Sequence, residues 1–297
     1  DEYDIAHINT IGLASWRVLR NAKKKKKPVV YHRHTTCEDF RRSIKFSNQL
    51  SGIIKFWEKK LYNSADYLIS PTNYTKNLIS SKYVTDKEIR VISNGVDIKR
   101  FSKNEELGKK FREKFGYSNE DIVIMSAGLP FQRKGVLDLV EIARENPEYK
   151  FIWFGASSIK KILPKKVKNI IENPPKNVIF PGFVDEEILL GAYSSANLFF
   201  FPTYEENEGI VVLEALSMKL PALLRDIPVY EDWLKNKKTC FKGNNNTEFK
   251  EYIEYIINNN TSGITEDAYE LAKERELSKI GIKYKEYYDY ILSNKKN

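Results

Sequence analysis

Short runs of β-branched and aromatic residues alternate with longer amphipathic segments along the whole of this 297-residue sequence. In the first third, the runs Val29–His34 and Tyr67–Ser70 predict strands, and Phe40–Tyr62 between them predicts a helix. This alternation is typical of a parallel sheet that is covered by helices on both faces. We therefore expect an α/β fold.

A second series with the same alternation follows a turn at Asn94-Gly95 and a polar stretch. In this series Ile122–Ser126 predicts a strand, Val229–Leu234 predicts a helix, and Glu266–Ile291 predicts one long helix that is rich in tyrosine. The two series indicate two doubly wound, Rossmann-like domains with a crevice between them, spanning residues 1–102 and 103–275.

The positive charge of the chain is concentrated at its start. The net charge is +9, from 49 Lys and Arg against 40 Asp and Glu. The first 100 residues hold 20 basic and 10 acidic residues (+10), which leaves 29 and 30 (−1) for the remainder. This asymmetry favours an anionic partner for the first domain, such as a membrane surface, a nucleic acid or an acidic substrate. An ordinary lysine-rich surface is the alternative.

Composition excludes several classes of protein. Hydrophobic residues make up 41% of the chain, which is too many for a disordered protein. No run approaches the roughly 18 apolar residues that span a bilayer. Two distant cysteines, Cys37 and Cys240, argue against a disulfide scaffold and for a cytoplasmic protein. Because the sequence begins in a strand pattern at Asp1, we expect that the first domain lacks its first strand-helix unit.

Two glutamates flank a glycine after the predicted strand that ends at Phe201. Gly209 allows close approach of the backbone to a ligand, and Ile210 begins a helix whose free N–H groups favour an anion or a sugar hydroxyl. Glu206 stands at the mouth of this turn and Glu214 lies about one turn into the helix, so the two carboxylates could hold vicinal hydroxyls. Alternatively, they are an acid at a helix start and a surface acid.

A basic turn follows the predicted strand Ile122–Ser126. It runs from Gly128 to Gly135 and places Arg133 and Lys134 between a strand and a helix. Such a pair can neutralise a diphosphate and stabilise its departure as a leaving group. A solvated basic turn is the alternative.

Two histidines lie on one face of the strand Val29–His34. His34 falls at its carboxyl end, where ligand-binding residues of such sheets belong, and His32 lies two residues earlier. Either histidine could instead be a structural residue. A zinc site formed by His7, His32 and His34 is a third, weaker reading.

Basic and aromatic residues interleave in the segment that predicts the first long helix. This pattern fits a helix lying on an anionic membrane with its aromatic residues at the interface. It also fits a helix that packs on the core and exposes a basic side. The residues concerned are Arg41, Arg42, Lys45, Phe46, Lys55, Phe56 and Trp57.

Five pieces of the sequence together carry a resemblance to a known family. They are His34-Thr35, Val91–Asp97, Lys134-Gly135, Phe180–Val184 and the glutamate pair Glu206 and Glu214. In this order and spacing, the sequence resembles the retaining glycosyltransferases of family 4 over nearly its whole length. The resemblance implies the GT-B fold, in which two Rossmann-like domains face each other across a cleft.

The resemblance also implies roles for the residues of the second domain. Lys134, helped by Arg133, would hold the diphosphate of a nucleotide-sugar, and Glu214 would bind the ribose hydroxyls. Glu206 would face the donor sugar. The remaining donor-binding residues would be Gly128, Gly182, Val184, Asn207, Glu208, Gly209 and Ile210.

In the first domain, the resemblance places His34 beside the donor sugar, and it implies that residues 276–297 form a helix returning to that domain. The catalytic set would then be His34, Arg133, Lys134 and Glu206. No metal and no other cofactor is implied. The chain departs from the family pattern at Leu129, where arginine is common, and at Glu208, where an aromatic residue is common.

Within the family, the segments around His32–Phe46 and Arg225–Pro228 resemble bacterial glycolipid synthases. The expected function is transfer of glucose from UDP-glucose to diacylglycerol or a monoglycosyl diacylglycerol by a peripheral enzyme on the inner face of the membrane. One alternative is an enzyme of the same fold with a soluble or polysaccharide acceptor. Another is a catalytically inactive partner that binds nucleotide-sugars. A nucleic-acid-binding protein is a third, although no matching motif is present.

Overall fold

A computed structural model describes residues 2–32, 47–83, 86–155 and 162–294, and these residues form two compact units. The first unit holds the described residues up to Asn94 and from Leu277 onward, and the second holds those in Gly95–Glu276. None of the helices in the described ranges is long and apolar enough to span a bilayer.

Strands and helices alternate through both units. The described strands are β1 (Ala6–Ile8), β2 (Val29–His32), β3 (Tyr67–Ser70), β4 (Ile89–Val91), β5 (Val123–Ala127), β6 (Lys150–Phe154), β7 (Val178–Gly182), β8 (Leu198–Phe201), β9 (Ala222–Arg225) and β10 (Phe241–Gly243). The described α-helices are α1 (Leu13–Lys24), α2 (Ser47–Ser64), α3 (Asn73–Lys82), α4 (Glu105–Phe115), α5 (Val136–Glu145), α6 (Lys165–Glu172), α7 (Glu186–Ser195), α8 (Ile210–Ser217), α9 (Asn246–Asn258), α10 (Ser262–Glu274) and α11 (Leu277–Ser293).

The first unit is built on a parallel sheet with the strand order β1-β2-β3-β4. Successive residues of β2 point to opposite faces, and both faces are covered. Tyr31 packs in a core that includes Leu19 of α1 and Ile79 of α3. Val30, on the other face, packs with residues of α11, including Tyr287. Burial on both faces explains why the two central strands, β2 and β3, are mainly apolar.

The second unit is built on a six-stranded parallel sheet with the order β10-β9-β8-β5-β6-β7. The chain adds β6 and β7 on one side of β5, and then returns to add β8 on its other side. The strand order therefore reverses between β5 and β8. In open parallel sheets, ligands bind beyond the carboxyl ends of the strands at such a reversal.

The predicted α/β fold with two parallel sheets is confirmed, but two helix predictions are wrong. In place of a helix over Val229–Leu234, Pro228–Tyr230 forms one turn of 3₁₀ helix. The chain turns away at Lys235, whose backbone N–H donates to the Thr239 hydroxyl at 2.9 Å. An i,i+3 apolar pattern over six residues does not distinguish this turn from an α-helix.

The predicted helix Glu266–Ile291 is two helices, α10 and α11, separated at Arg275 and Glu276. The Arg275 carbonyl accepts a 2.9 Å hydrogen bond from the Val96 backbone N–H, and Val96 also forms a bridge with Glu276. This long-range pairing interrupts the helix between Glu274 and Leu277, where the sequence has neither proline nor glycine. Helix α9 and strand β10, between Phe241 and Asn258, were not predicted.

Candidate active site

The carboxyl ends of β5 and β8 bring together the basic turn of residues 128–135 and the loop of residues 202–209, which we call the acidic loop. A 3₁₀ turn, Gln132–Lys134, follows β5 and ends at Gly135, which has a φ of 80°. The Lys134 ammonium pairs with Oε1 of Glu206, and the two side chains are only 14% and 10% exposed. A largely buried cation and a buried carboxylate thus meet at the switch point of the sheet.

One backbone hydrogen bond and one from a side chain tie the two segments to each other. The Tyr204 backbone N–H donates to the Arg133 carbonyl at 2.7 Å, and Nη1 of Arg133 donates to the Glu205 carbonyl at 3.0 Å. The Thr203 hydroxyl lies 3.3 Å from Oε1 of Glu206. These contacts fix the positions from which Arg133, Lys134 and Glu206 extend.

The N-terminus of α8 lies directly after this loop. Gly209 precedes the helix with a φ of 87°, a backbone conformation that favours glycine, and no described side chain caps the helix. Uncapped N–H groups at a helix start can bind an anion or a sugar hydroxyl. Asn207 and Glu208 are buried beside it, whereas Ile210 is 45% exposed.

A cavity of about 620 Å³ opens beside the same strand ends, between β5, β7 and α8. This volume falls within the range of pockets that hold small ligands. The aromatic ring of Phe183, which lines the cavity, is 87% exposed. Four residues predicted to bind a nucleotide-sugar also line it: Gly128, Gly182, Val184 and Glu214.

Glu214 is a carboxyl group that lines this cavity, together with the exposed acids Asp185 and Glu186. Burial raises its pKa to about 7, whereas the hydrogen bond from Tyr193 and the charge of Arg100 act in the opposite direction. The Tyr193 hydroxyl donates to Oε2 of Glu214 at 3.0 Å. One carboxylate oxygen is thus oriented by α7, and the group can accept hydrogen bonds from vicinal hydroxyls in the cavity.

Glu208 stands where an aromatic residue is common in the resembling family, and the structure gives it a cationic neighbour. It is 2% exposed, and its charge acts on Arg275, whose pKa is lowered mainly by burial. The guanidinium of Arg275 also lies 4.8 Å from the centre of the Trp233 ring. The acid at position 208 is therefore part of a buried charged group and does not project into solvent.

Arg225 is buried beside the acidic loop, a position that the sequence did not predict. Nη2 of Arg225 donates to Asp138 at 3.1 Å, and its Nε donates to the Pro202 carbonyl at 3.1 Å. Its guanidinium also lies 3.9 Å from the ring centre of Tyr204, whose hydroxyl donates to Asp138 at 2.9 Å. Arg225 thereby anchors the loop that carries Glu206. Only the pairing of β8 with β9, which the sequence does not reveal, brings these groups together.

The predicted residues of the first domain are described only in part. His34, Arg41, Arg42, Lys45 and Phe46 lie outside the described residues. Lys55 and Phe56 are exposed on α2, and Trp57 is half-buried. A helix was predicted over Phe40–Tyr62, and the described part of this segment lies in α2.

Three histidines were considered as an alternative zinc site. The structure describes two of them, and each contacts a tyrosine of α11. Nδ1 of His7 lies 2.5 Å from the Tyr288 hydroxyl, and Nδ1 of His32 lies 3.0 Å from the Tyr284 hydroxyl. Within the described ranges, no group of three or more His, Cys, Asp or Glu side chains is placed to hold a metal ion.

A basic turn, two buried acids and a cavity of small-ligand size thus lie at the strand-order reversal of the second unit. Two family models match the chain: "Glycosyl transferases group 1" over residues 108–275 and "Glycosyltransferase Family 4" over residues 1–100. The chain belongs to this family of glycosyltransferases, and its fold is of the GT-B class.

Curated relatives and solved structures agree with this assignment. The processive diacylglycerol alpha-glucosyltransferase of Acholeplasma laidlawii is 39% identical over 296 residues, which is 100% of this chain and 88% of that protein. The alpha-galactosylglucosyldiacylglycerol synthase of Streptococcus pneumoniae is 30% identical, covering 86% of this chain and 69% of the relative. The crystal structure of Anabaena HepE in complex with UDP-glucose superposes with a TM-score of 0.80 at 18% identity, covering 97% of this chain and 79% of HepE.

Proposed function

We propose that this glycosyltransferase transfers glucose from UDP-glucose to the hydroxyl of a diacylglycerol or a monoglycosyl diacylglycerol, with retention of the anomeric configuration. The proposed lipid acceptor is supported chiefly by one observation. The chain is 39% identical, over its full length, to an enzyme named as a processive diacylglycerol alpha-glucosyltransferase. The donor is supported by the cavity of the second unit together with the basic turn beside it.

Each side chain of the site has a role in this reaction. Glu214 accepts hydrogen bonds from the ribose hydroxyls in the cavity. Lys134 and Arg133 neutralise the diphosphate, and this matters most as the negative charge on the leaving UDP increases. Glu206 and the N–H groups at the start of α8 orient the hydroxyls of the glucose.

The proposed chemistry is a displacement on the face from which UDP departs. The acceptor oxygen forms a bond to the anomeric carbon while the bond from that carbon to the phosphate oxygen breaks. The proton of the acceptor hydroxyl passes to the departing phosphate oxygen, so UDP leaves with its electron pair. We propose that His34 helps to orient the reacting groups and that no metal ion takes part.

We further propose that the first unit binds the inner face of the cytoplasmic membrane. On α2, Ile53 and Phe56 are 60% and 63% exposed, and Leu13 of α1 is 71% exposed. The Lys60 ammonium lies 4.5 Å from the ring centre of Trp16 and 5.3 Å from that of Trp57. Exposed apolar side chains beside tryptophans and lysines are typical of a surface that enters the interface of an anionic bilayer.

The proposed function is tested by incubating the protein with labelled UDP-glucose and vesicles that contain diacylglycerol or monoglucosyl diacylglycerol. We expect a labelled glycolipid that α-glucosidase digests and β-glucosidase does not, formed equally well with a chelator present. The site is tested with Lys134→Ala, and the matched control is Lys166→Ala, a change at an exposed lysine of α6. Only the first substitution should abolish transfer.

Other outcomes would replace parts of the proposal. Transfer to soluble sugars but not to lipid would assign a different acceptor. Binding of UDP-glucose with no release of UDP would indicate an inactive partner protein. A gel shift with nucleic acid at physiological salt would contradict the expectation that nucleic acid is not a ligand.

A further inference from the structure

Tyr230 is a fully buried phenol at the carboxyl end of β9, the strand next to β8. Its hydroxyl has no hydrogen-bond partner among the residues that the structure describes. A buried hydroxyl without a partner is unfavourable, and such groups in native proteins call for an explanation. The proposed function assigns no role to this hydroxyl.

The hydroxyl of Tyr230 lies against the start of α8. A Cβ atom at Gly209 would be 2.9 Å from this hydroxyl oxygen, which places the phenol directly beside the Glu206–Gly209 loop. The ring packs edge-on against Trp233 at 6.0 Å, and the indole N–H of Trp233 donates to the Val229 carbonyl at 3.1 Å. The phenol is therefore held in place by rigid neighbours.

In the described state, Glu206 is neutralised by Lys134. Under the proposed function, the diphosphate of the donor takes the same ammonium, so Glu206 loses its cation at the moment when it must orient the glucose. Of its described contacts Glu206 then keeps the Thr203 hydroxyl at 3.3 Å, and a buried carboxylate that has lost its cation is stabilised by a further hydrogen-bond donor.

We infer that Tyr230 is a positioning residue for Glu206, and that its hydroxyl donates a hydrogen bond to the Glu206 carboxylate in the donor-bound enzyme. This inference rests on the proposed function. It accounts for a phenol without a described partner in the donor-free protein, because the Glu206 carboxylate is held there toward Lys134 and Thr203, which both contact its Oε1.

The chemistry of the phenol suits this role. Burial raises the pKa of Tyr230 well above its usual value, and the charge of Glu206 acts in the same direction. The group therefore keeps its proton at every physiological pH and acts as a donor. A hydrogen bond from a neutral hydroxyl to a carboxylate in a water-poor site is among the stronger kinds in proteins.

The test is Tyr230→Phe, which removes only the hydroxyl, with Tyr117→Phe as the matched control. Tyr117 is also a buried phenol of the second unit whose hydroxyl has no described partner. In the glucose-transfer assay, we expect Tyr230→Phe to lower kcat about tenfold, the effect of one lost hydrogen bond to a charged group, with KM for UDP-glucose changed less than twofold. The donor-free protein should melt no lower than wild type, and Tyr117→Phe should leave both constants unchanged.

A second experiment distinguishes a role of Tyr230 in positioning Glu206 from a purely structural role. In a Glu206→Gln background, adding Tyr230→Phe should lower kcat less than twofold further, because both changes disrupt one interaction. A wild-type kcat for Tyr230→Phe, or full additivity with Glu206→Gln, would overturn the inference while leaving the proposed function intact. Absence of glucose transfer by the wild-type protein would overturn the proposed function and this inference together.

Discussion

The Cα of Gly135 faces the carbonyl of Pro202 so closely that a Cβ atom would lie 2.3 Å from its oxygen. Gly135 ends the basic turn after β5, and Pro202 begins the acidic loop after β8. The two segments that carry Lys134 and Glu206 therefore touch through their backbones. Two independent features require glycine at this position. A side chain would clash with the Pro202 carbonyl, and the φ of 80° is one that favours glycine.

Substitution of Gly135 should therefore disturb the site more than the same substitution at a comparable glycine. Gly116 also has a positive φ, of 68°, but has no atom within 4 Å of a Cβ placed there. Gly116→Ala should cost about 1 kcal/mol of unfolding free energy from backbone strain alone. Gly135→Ala should cost about 3 kcal/mol, since about 2 kcal/mol of clash is added.

Urea denaturation of the two variants measures this difference, and the transfer assay follows its effect on the site. We expect Gly116→Ala to retain wild-type turnover and Gly135→Ala to lose most of it. Equal losses of stability in both variants would show that the loop after β8 moves away at little cost, and that the contact does not hold the site together.

Removing one member of the Lys134–Glu206 pair should destabilise the protein more than removing both charges. Lys134→Met leaves a buried carboxylate with its ammonium removed, which costs about 3 kcal/mol in comparable pairs. Adding Glu206→Gln removes that charge, so the double variant should recover most of the lost stability. Its turnover should nevertheless stay about 100-fold or more below wild type, because the diphosphate still lacks its cation.

A double-mutant cycle of denaturation midpoints and kcat values checks this separation. Recovery of turnover together with stability would mean that Lys134 acts only by neutralising Glu206. Additive losses of stability in the double variant would mean that the ammonium and the carboxylate do not interact in solution.

Much of this site could be anticipated because carboxyl ends of parallel strands share one edge of a sheet. Basic and acidic residues placed directly after apolar strands, such as Lys134 and Glu206, therefore point to one region of the second unit. Predicting their contact requires the strand order, and only the return of β8 to the side of β5 makes them neighbours.

The supporting residues could not be anticipated for the same reason. Tyr193, Arg225 and Tyr230 lie on separate elements. The sequence marks Arg225 only as part of a segment that resembles glycolipid synthases, and it gives none of the three a contact with the site. Their roles depend on distances to Glu214, Asp138 and Gly209 that no local pattern encodes. Sequence patterns thus located the groups proposed to contact the donor, whereas packing reveals the groups that hold them.

Charge reversal on α2 should weaken membrane binding selectively. Lys55 and Lys59 are exposed on the helix that carries Phe56, so Lys55→Glu with Lys59→Glu replaces attraction to an anionic bilayer by repulsion. Each basic residue near such a surface contributes about 1 kcal/mol, so vesicle affinity should fall at least tenfold. Co-sedimentation with phosphatidylglycerol vesicles at low and high salt measures this.

The matched control is Lys109→Glu with Lys114→Glu, two exposed lysines of α4 that carry the same change in net charge. This control should keep near-wild-type vesicle binding, and both double variants should keep wild-type affinity for UDP-glucose. Equal weakening by the two pairs would mean that net charge, and not the α2 surface, governs the association.

The buried carboxyl of Glu214 should make both stability and donor binding depend on pH near neutrality. Its pKa is raised from 4.5 to about 7, so the folded protein holds this proton between those values while the unfolded chain has released it. Stability from this group is therefore present at low pH and declines as pH rises to about 7, by about 3 kcal/mol in total. Glu214→Gln should accordingly raise the melting temperature at pH 8 and change it little at pH 4.5.

Donor binding should show the opposite trend with pH, because the ribose hydroxyls are bound by the ionised carboxylate. With a pKa of about 7, the ionised fraction falls about tenfold between pH 8 and pH 6, and the Kd for UDP-glucose should rise by up to the same factor. UDP-glucose is the suitable probe, since its diphosphate is esterified at both ends and does not titrate in this range. Glu214→Gln should bind more weakly with no such dependence, whereas Glu187→Gln, at an exposed acid of α7 outside the cavity, should behave as wild type. A Kd that does not change with pH in the wild-type protein would contradict the assignment of Glu214 to the ribose.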